Sequence, residues 1–234
     1  MIQTPRRTNK YYTDYDINSR PNGHHDPIIL NYANYYIIED LLNKDEVKEL
    51  QELTSAYDAL TDKGTVMGYS ADEAENNNMR DSNIFFLDND PEYKKFDKII
   101  VDKVDSINKN IFNLDLTTYM PPQYTIYGEN QHFNWHPDGP FGVLDARGLN
   151  CIPTNLHWRK LSMSLFLNDE NEYKGGDFQI LNYSGNPECN GIHTVRGKAG
   201  TAILFPAFAA HKVTPVTEGV RKTLIYWFCG PRWK

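Results

Sequence analysis

Near residue 114 the hydrophobic period of the chain changes from about 3.6 residues to about 2, and this limits the folds open to it. Downstream, short alternating runs follow one another: QYTIYGE, KLSMSLFL, DFQIL, GIHTV, TAILF and TLIYWF. Turn-forming clusters separate them, among them Gly175-Gly176, Asn186-Pro187, Asn190-Gly191 and Gly197 to Gly200. Many short strands at this spacing predict a β-sandwich or barrel of jelly-roll type. Upstream, Ile28 to Ile38 reads as a strand. A helix is predicted from Asn43, an N-cap with Glu46 three positions on, and its apolar face is Val47, Leu50, Leu53 and Tyr57. A second is predicted from Asp90-Pro91-Glu92, with a stripe of Tyr93, Phe96, Ile99, Ile100, Val104 and Ile107. Residues 61–80 between them read as loop. The expectation is a mainly β protein with flanking helices packed on one sheet. Residues 1–27 are expected to form an irregular N-terminal arm or lid, with disorder as the alternative. Residues 28–234 are expected to form one domain, helical over about 40–110 and β over about 114–232.

Composition excludes several function classes. With 234 residues, 40% hydrophobic and 13% aromatic, the chain has the content of a globular domain. No apolar run approaches the roughly 20 residues that span a bilayer, and MIQTPRRTNKYY lacks the apolar stretch of a secretory signal. Cys151, Cys189 and Cys229 are odd in number and widely spaced, with no Cys-x-x-Cys pair, which argues against a zinc ribbon or disulfide framework. A reducing, cytoplasmic location is expected. The net charge is -7, and Lys and Arg are scattered apart from Arg6-Arg7, which argues against a nucleic-acid partner.

His136 and Asp138 follow a strand-like segment. In extended chain, residues i and i+2 project to one face, so an imidazole and a carboxylate can reach one ion. His-x-Asp alone is a common chance pattern. His211 supplies a third candidate at a sheet rim, between Pro206 and Pro215. Two imidazoles and a carboxylate leave one face of a metal open, the ligand set of non-haem Fe(II) oxygenases. A structural zinc site would be closed by a fourth ligand, commonly a thiolate. Arg221 opens the next strand, ten positions after His211. It is suited to a bidentate pair with a ligand carboxylate, and Thr223 on the same face adds a hydroxyl; a surface salt bridge is the ordinary alternative.

These segments together resemble the 2-oxoglutarate/Fe(II) dioxygenase superfamily in its prolyl 4-hydroxylase-like branch, closest to the PKHD-type hydroxylases. The matching stretches are RKLSMSLFLNDENEYKGGDF from Arg159, GKAGTAILFPAFAAHKVTPVTEGVR, the terminal LIYWFCGP, YGENQHFNWHPD, and an Arg-x-Ser segment at Arg80 to Ser82. The resemblance covers roughly residues 35–232. It implies a double-stranded β-helix, the cupin-like jelly roll, with Fe(II) at one open end held by His136, Asp138 and His211. It implies 2-oxoglutarate as co-substrate, its distal carboxylate on Arg221 and Tyr127, with O2 as oxidant and L-ascorbate among the accessory cofactors. Tyr127 could equally be a core aromatic. Asp138 favours hydroxylation, because halogenating relatives lack this carboxylate. Pro137 and the long segment GPFGVLDARGLNCIPTNLHWRK depart from better-known members.

The expected activity is hydroxylation of an unactivated C–H bond coupled to conversion of 2-oxoglutarate to succinate and CO2. A protein or peptide prolyl side chain is the first expected substrate and a free small molecule the second. A cupin-like metal-binding module without turnover is the reading of another class. Phe141, Arg147, His157, Trp158 and Arg159 are expected on a loop that closes over substrate. His132 is expected near the mouth rather than on the metal. His157 and His193 are expected on a loop or sheet face, and His24-His25 in the arm. Phe133, Trp135 and Trp227 are expected in core packing.

Overall fold

A computed structural model describes residues 35–66, 69–87, 90–139, 158–182 and 191–231. Two antiparallel sheets carry the molecule, and a third, two-stranded one pairs Tyr173–Gly175 with Val216–Gly219. In order of hydrogen-bonded neighbours the larger runs Tyr36–Ile38, Ala202–Pro206, Trp158–Phe166, Arg221–Gly230, Gln123–Tyr127, Asn83–Phe86 and Asp62–Lys63, with Thr118–Tyr119 on the far end of Arg221–Gly230. The smaller runs Gly191–Val195, Phe178–Asn182, His211–Val213, His132–His136 and Arg80–Asp81.

The larger sheet separates two cores, because successive strand residues point to opposite faces. On its outer face Leu161, Met163, Leu165, Leu204, Leu224 and Tyr226 meet two helices, α1 (Lys44–Ser55) and, after the short α2 (Ala71–Asn76), α3 (Lys94–Ile107). The helices contribute Val47 and Leu50, and Phe96, Ile100 and Val104. On the inner face Tyr127, Phe166, Ile203 and Phe205 meet Phe178, Ile180, Val195 and Val213, most of them from the smaller sheet. Beside these apolar residues the inner face buries Thr125, Ser162, Ser164, Arg221 and Thr223. A layer that buries so many polar groups is built to receive something polar.

Asn43 caps α1 as its spacing predicts, accepting from the backbone of Asp45 and Glu46 while Glu46 returns a bond to the Asn43 N–H. Three readings are corrected. Helix α3 starts at Lys94, not beside Asp90, because the Asp90 carboxylate accepts from the Glu92 and Tyr93 N–H groups and closes a separate turn first. Segment 61–80 is not all loop: it contains Asp62–Lys63 and α2, which Ser70 and Glu73 cap reciprocally. Trp158 and Arg159 belong to a strand, opposite Gly230 and Cys229, and not to the loop before it. Of the strand predicted over 28–38, Tyr36–Ile38 is observed. The arm, Phe141, Arg147 and His157 lie outside the described residues.

The helix layer should be held more by packing than by its caps. Ile100→Ala, at a fully buried site, is expected to cost about 3 kcal/mol, and Asn43→Ala about 1 kcal/mol. Urea unfolding of both variants checks the order.

Candidate metal centre

His136 ends its strand and lies directly opposite His211 across the antiparallel pair. Each imidazole donates from Nδ1 to the carbonyl two residues earlier, His136 to Asn134 at 2.7 Å and His211 to Ala209 at 2.9 Å. Both Nε2 atoms are thereby left as lone-pair donors facing the same carboxylate. His136 Nε2 is 3.9 Å from Asp138 Oδ1, and His211 Nε2 is 3.6 Å from Asp138 Oδ2. Asp138 is held by its own backbone N–H, which donates to the Ala207 carbonyl at 2.8 Å, as does that of Gly139 at 2.9 Å. The ligand atoms of the three residues lie within 4.8 Å of one another, and no fourth His, Cys, Asp or Glu joins them among the described residues.

The electrostatics suit a cation. Burial, helped by the facing His211, pushes His136 down to about 3, so its imidazole is neutral at physiological pH. Burial alone would raise the Asp138 carboxyl, but His211, His136 and Arg159 together hold it below the ordinary carboxylate value. Two imidazoles and an ionised carboxylate, open on one side, fit Fe(II) better than a closed zinc site.

Arg221 lines the same cavity as the three ligands, with Tyr127, Phe178, Phe205, Ile225 and Trp227. It is 1% exposed. Its Nη1 donates to Thr223 Oγ1 at 3.4 Å, while Nε and Nη2 have no partner. Among the described residues no carboxylate pairs with it. The guanidinium carbon lies 5.4 Å from the ring of Tyr127, the residue opposite it in register, and 5.5 Å from that of Phe166. Burial raises the Tyr127 phenol, which therefore stays a neutral donor. Gly175-Gly176 makes room for this arrangement. At Gly176, where φ is +60°, a Cβ would lie 3.0 Å from Arg221 Cδ. At Gly175 it would lie 2.2 Å from the Pro215 carbonyl oxygen.

The other candidates fall elsewhere. His132 faces the Asn130 and Asn78 carbonyls, outside the triad, and His193 bonds Tyr35. Arg159 stacks on Trp227, 4.0 Å from its ring, and reaches the Asp138 carbonyl at 3.3 Å. Trp135 lies under Lys212 rather than in the core, and Phe133 and Trp227 line the cavity. Among the polar lining residues that sequence reasoning did not place in the site are Arg80, Gln123 and Ser164. Arg80 did stand in the Arg-x-Ser segment, the one signal for it.

The model of the 2OG-Fe(II) oxygenase superfamily matches residues 122–229. The chain is 37% identical to a PKHD-type hydroxylase of Janthinobacterium sp. over 111 residues, 47% of this chain and 43% of that protein. It therefore spans less than half of that relative's length. With a PKHD-type hydroxylase of Herminiimonas arsenicoxydans it is 30% identical over 191 residues, 81% of this chain and 76% of the relative. Among solved structures it is similar to a Pseudomonas putida prolyl-4-hydroxylase, with TM-score 0.62 and 18% identity over 86% of this chain and 94% of that one. It is likewise similar to a Trichoplax adhaerens prolyl hydroxylase in complex with a hypoxia inducible factor peptide fragment, with TM-score 0.61 and 18% identity over 85% and 84%. At those identities the likeness shows the fold: a double-stranded β-helix.

The protonation of this site sets a pH dependence. His136 is held neutral when folded and charges when unfolded, and Asp138 is likewise harder to protonate when folded. The unfolded chain thus binds more protons, so stability is present at neutral pH and lost as pH falls. Between pH 6.5 and 5 His136 should contribute a loss of up to about 1.4 kcal/mol per pH unit in the metal-free protein. Urea unfolding at several pH values checks this, and His136→Asn should flatten the slope.

Proposed function

The chain belongs to the 2OG-Fe(II) oxygenase superfamily, among its PKHD-type, prolyl 4-hydroxylase-like members, and from that premise we propose that it is a 2-oxoglutarate-dependent hydroxylase. The reaction takes substrate C–H, 2-oxoglutarate and O2 to substrate C–OH, succinate and CO2. One observation carries the proposal: a buried guanidinium with two unpartnered nitrogens, Nε and Nη2, shares a cavity with a His-Asp-His cluster. A buried charge normally requires a partner. A dicarboxylate whose other end reaches the metal supplies one.

In this reading His136 and His211, each through Nε2, and Asp138 through its carboxylate would hold Fe(II), and the bound iron would supply the redox chemistry with O2. Asp138 would contribute the negative charge of the ligand set, and three protein ligands would leave room for the oxo-acid and O2. Arg221 receives the distal carboxylate in bidentate fashion, with Thr223 and Tyr127 as hydroxyl partners. Phe178, Phe205, Val213 and Ile225 line the same cavity and exclude water from the reacting centre. No protein general base is assigned. L-Ascorbate belongs to the proposal as an accessory reductant, and a reducing, cytoplasmic compartment as the setting.

The substrate proposed is a prolyl or other side chain in a peptide or protein. The description of the Trichoplax neighbour with a bound peptide and the names of the PKHD-type relatives support that class. Residues 28–234 are proposed to act as one catalytic domain.

Iron-loaded protein is expected to release succinate from 2-oxoglutarate. Arg221→Ala should weaken 2-oxoglutarate binding at least roughly 30-fold, the loss of about 2 kcal/mol for breaking a buried charge pair. Gly176→Ala should reproduce part of that defect while leaving metal affinity unchanged. In lysate the product should be a peptide heavier by one oxygen; a small-molecule product would redirect the substrate class. Iron binding without succinate release under any condition would favour a metal-binding module instead.

A further inference from the structure

Phe133 and His136 are three residues apart, and in a regular strand they would face opposite sides. Here the register with the neighbouring strand shifts. His211 opposes His136, yet Val213 opposes Phe133, so three steps on one strand match two on the other. Such a bulge re-aims a side chain. It brings His136 onto the face of Phe133, with ring centroids 3.4 Å apart and planes 12° from parallel. The Arg80 guanidinium carbon also lies over this ring, 4.6 Å from its centroid. The imidazole occupies one face at stacking distance, so the guanidinium takes the other.

Arg80 is fixed in that position. Its backbone pairs opposite Phe133. Nε donates to Ser82 Oγ at 2.7 Å and Nη1 to the Thr65 carbonyl at 2.9 Å. Gly64 leaves it space, since a Cβ there would lie 2.5 Å from Arg80 Nε. Arg80 is 6% exposed, and among the described residues no carboxylate forms an ion pair with it. Its charge is directed instead at an aromatic face, the geometry of a cation–π contact.

We propose that Arg80 is a positioning residue of the metal centre, setting the plane of the His136 imidazole through the Phe133 ring. The hydrogen bond from His136 Nδ1 to Asn134 fixes where the ring points but not its tilt about that axis. The stack fixes the tilt, and Arg80 holds the stack from behind. His211 needs no such support, since Phe178 lies against it at 21° and Phe205 approaches at 60°. The inference rests on His136, Asp138 and His211 being the metal ligands of the proposed enzyme.

Anaerobic Mn(II) titration of the full chain, with the Co(II) electronic spectrum as a second readout, tests it. Arg80→Gln and Phe133→Leu should each weaken Mn(II) roughly 10-fold, the lower end of the effect of losing an outer partner of a ligand. Both should shift the Co(II) bands. Arg80→Gln should add nothing in the Phe133→Leu background, and Arg80→Lys should recover part of the loss. Phe133→Tyr, which keeps the ring, should bind as wild type, and this pair of Phe133 variants decides the matter if Arg80→Gln fails to fold. Wild-type affinity and spectrum in Phe133→Leu, or an equal Arg80→Gln loss with and without the ring, would overturn the inference alone. No Mn(II) binding by the wild type would overturn the metal reading with it.

Discussion

A guanidinium buried to 1% exposure, with no acid paired to it among the described residues, is the constraint around which this structure is arranged. Leaving one buried charge unmatched costs several kcal/mol, and a cavity that opens onto its free N–H groups is suited to admit a partner of opposite charge. The surroundings of Arg221 are built to hold it in place. Thr223 takes one N–H, Tyr127 and Phe166 flank the charge, and a glycine with positive φ clears its stem. In the proposed enzyme a divalent metal and Arg221 oppose Asp138, and a doubly ionised oxo-acid offsets the positive charge these three leave, while Arg80 in the same cavity keeps its charge against the Phe133 ring.

The sheet that carries Arg221 does two jobs because of strand alternation. Its outer residues bind α1 and α3 into the larger core, which makes the strands rigid. The inner residues interleaved with them present Arg221, Thr223, Ile225 and Trp227 along one line toward the ligands. The smaller sheet supplies His136 and His211 by cross-strand register. The proposed metal and anion ends of the site therefore sit on different sheets, whose inner faces meet at Phe178 and Phe205. A site held by packed strands keeps its geometry better than one held by loops.

Much of this was legible in the sequence, because its signals are local. The period change near residue 114, the Asn43–Glu46 cap and the Gly-Gly turn each act within a few residues. The order of His-x-Asp, Gly-Gly, His and Arg was readable for the same reason. Helix α2 escaped notice because its six residues bury only Ala74, too little for periodicity to register. Asp90 misled because a carboxylate that caps a turn looks like one that caps a helix. Trp158 and Arg159 joined the wrong element because their long polar prelude hides where the strand begins. Arg80 stood in a recognisable Arg-x-Ser segment, but its place in the site was not readable. It depends on a bulge and on pairing across more than fifty residues of chain, and neither leaves a local trace.

The central claim is that one cavity holds a divalent iron and a dicarboxylate together. Anaerobic titration of the Fe(II)-loaded protein with 2-oxoglutarate, followed by absorption, tests it most directly. A charge-transfer band should grow to saturation at one equivalent, and at the same concentrations Arg221→Ala should show little of it while still binding iron. Iron bound by the wild type with no such band at any 2-oxoglutarate concentration would contradict the claim.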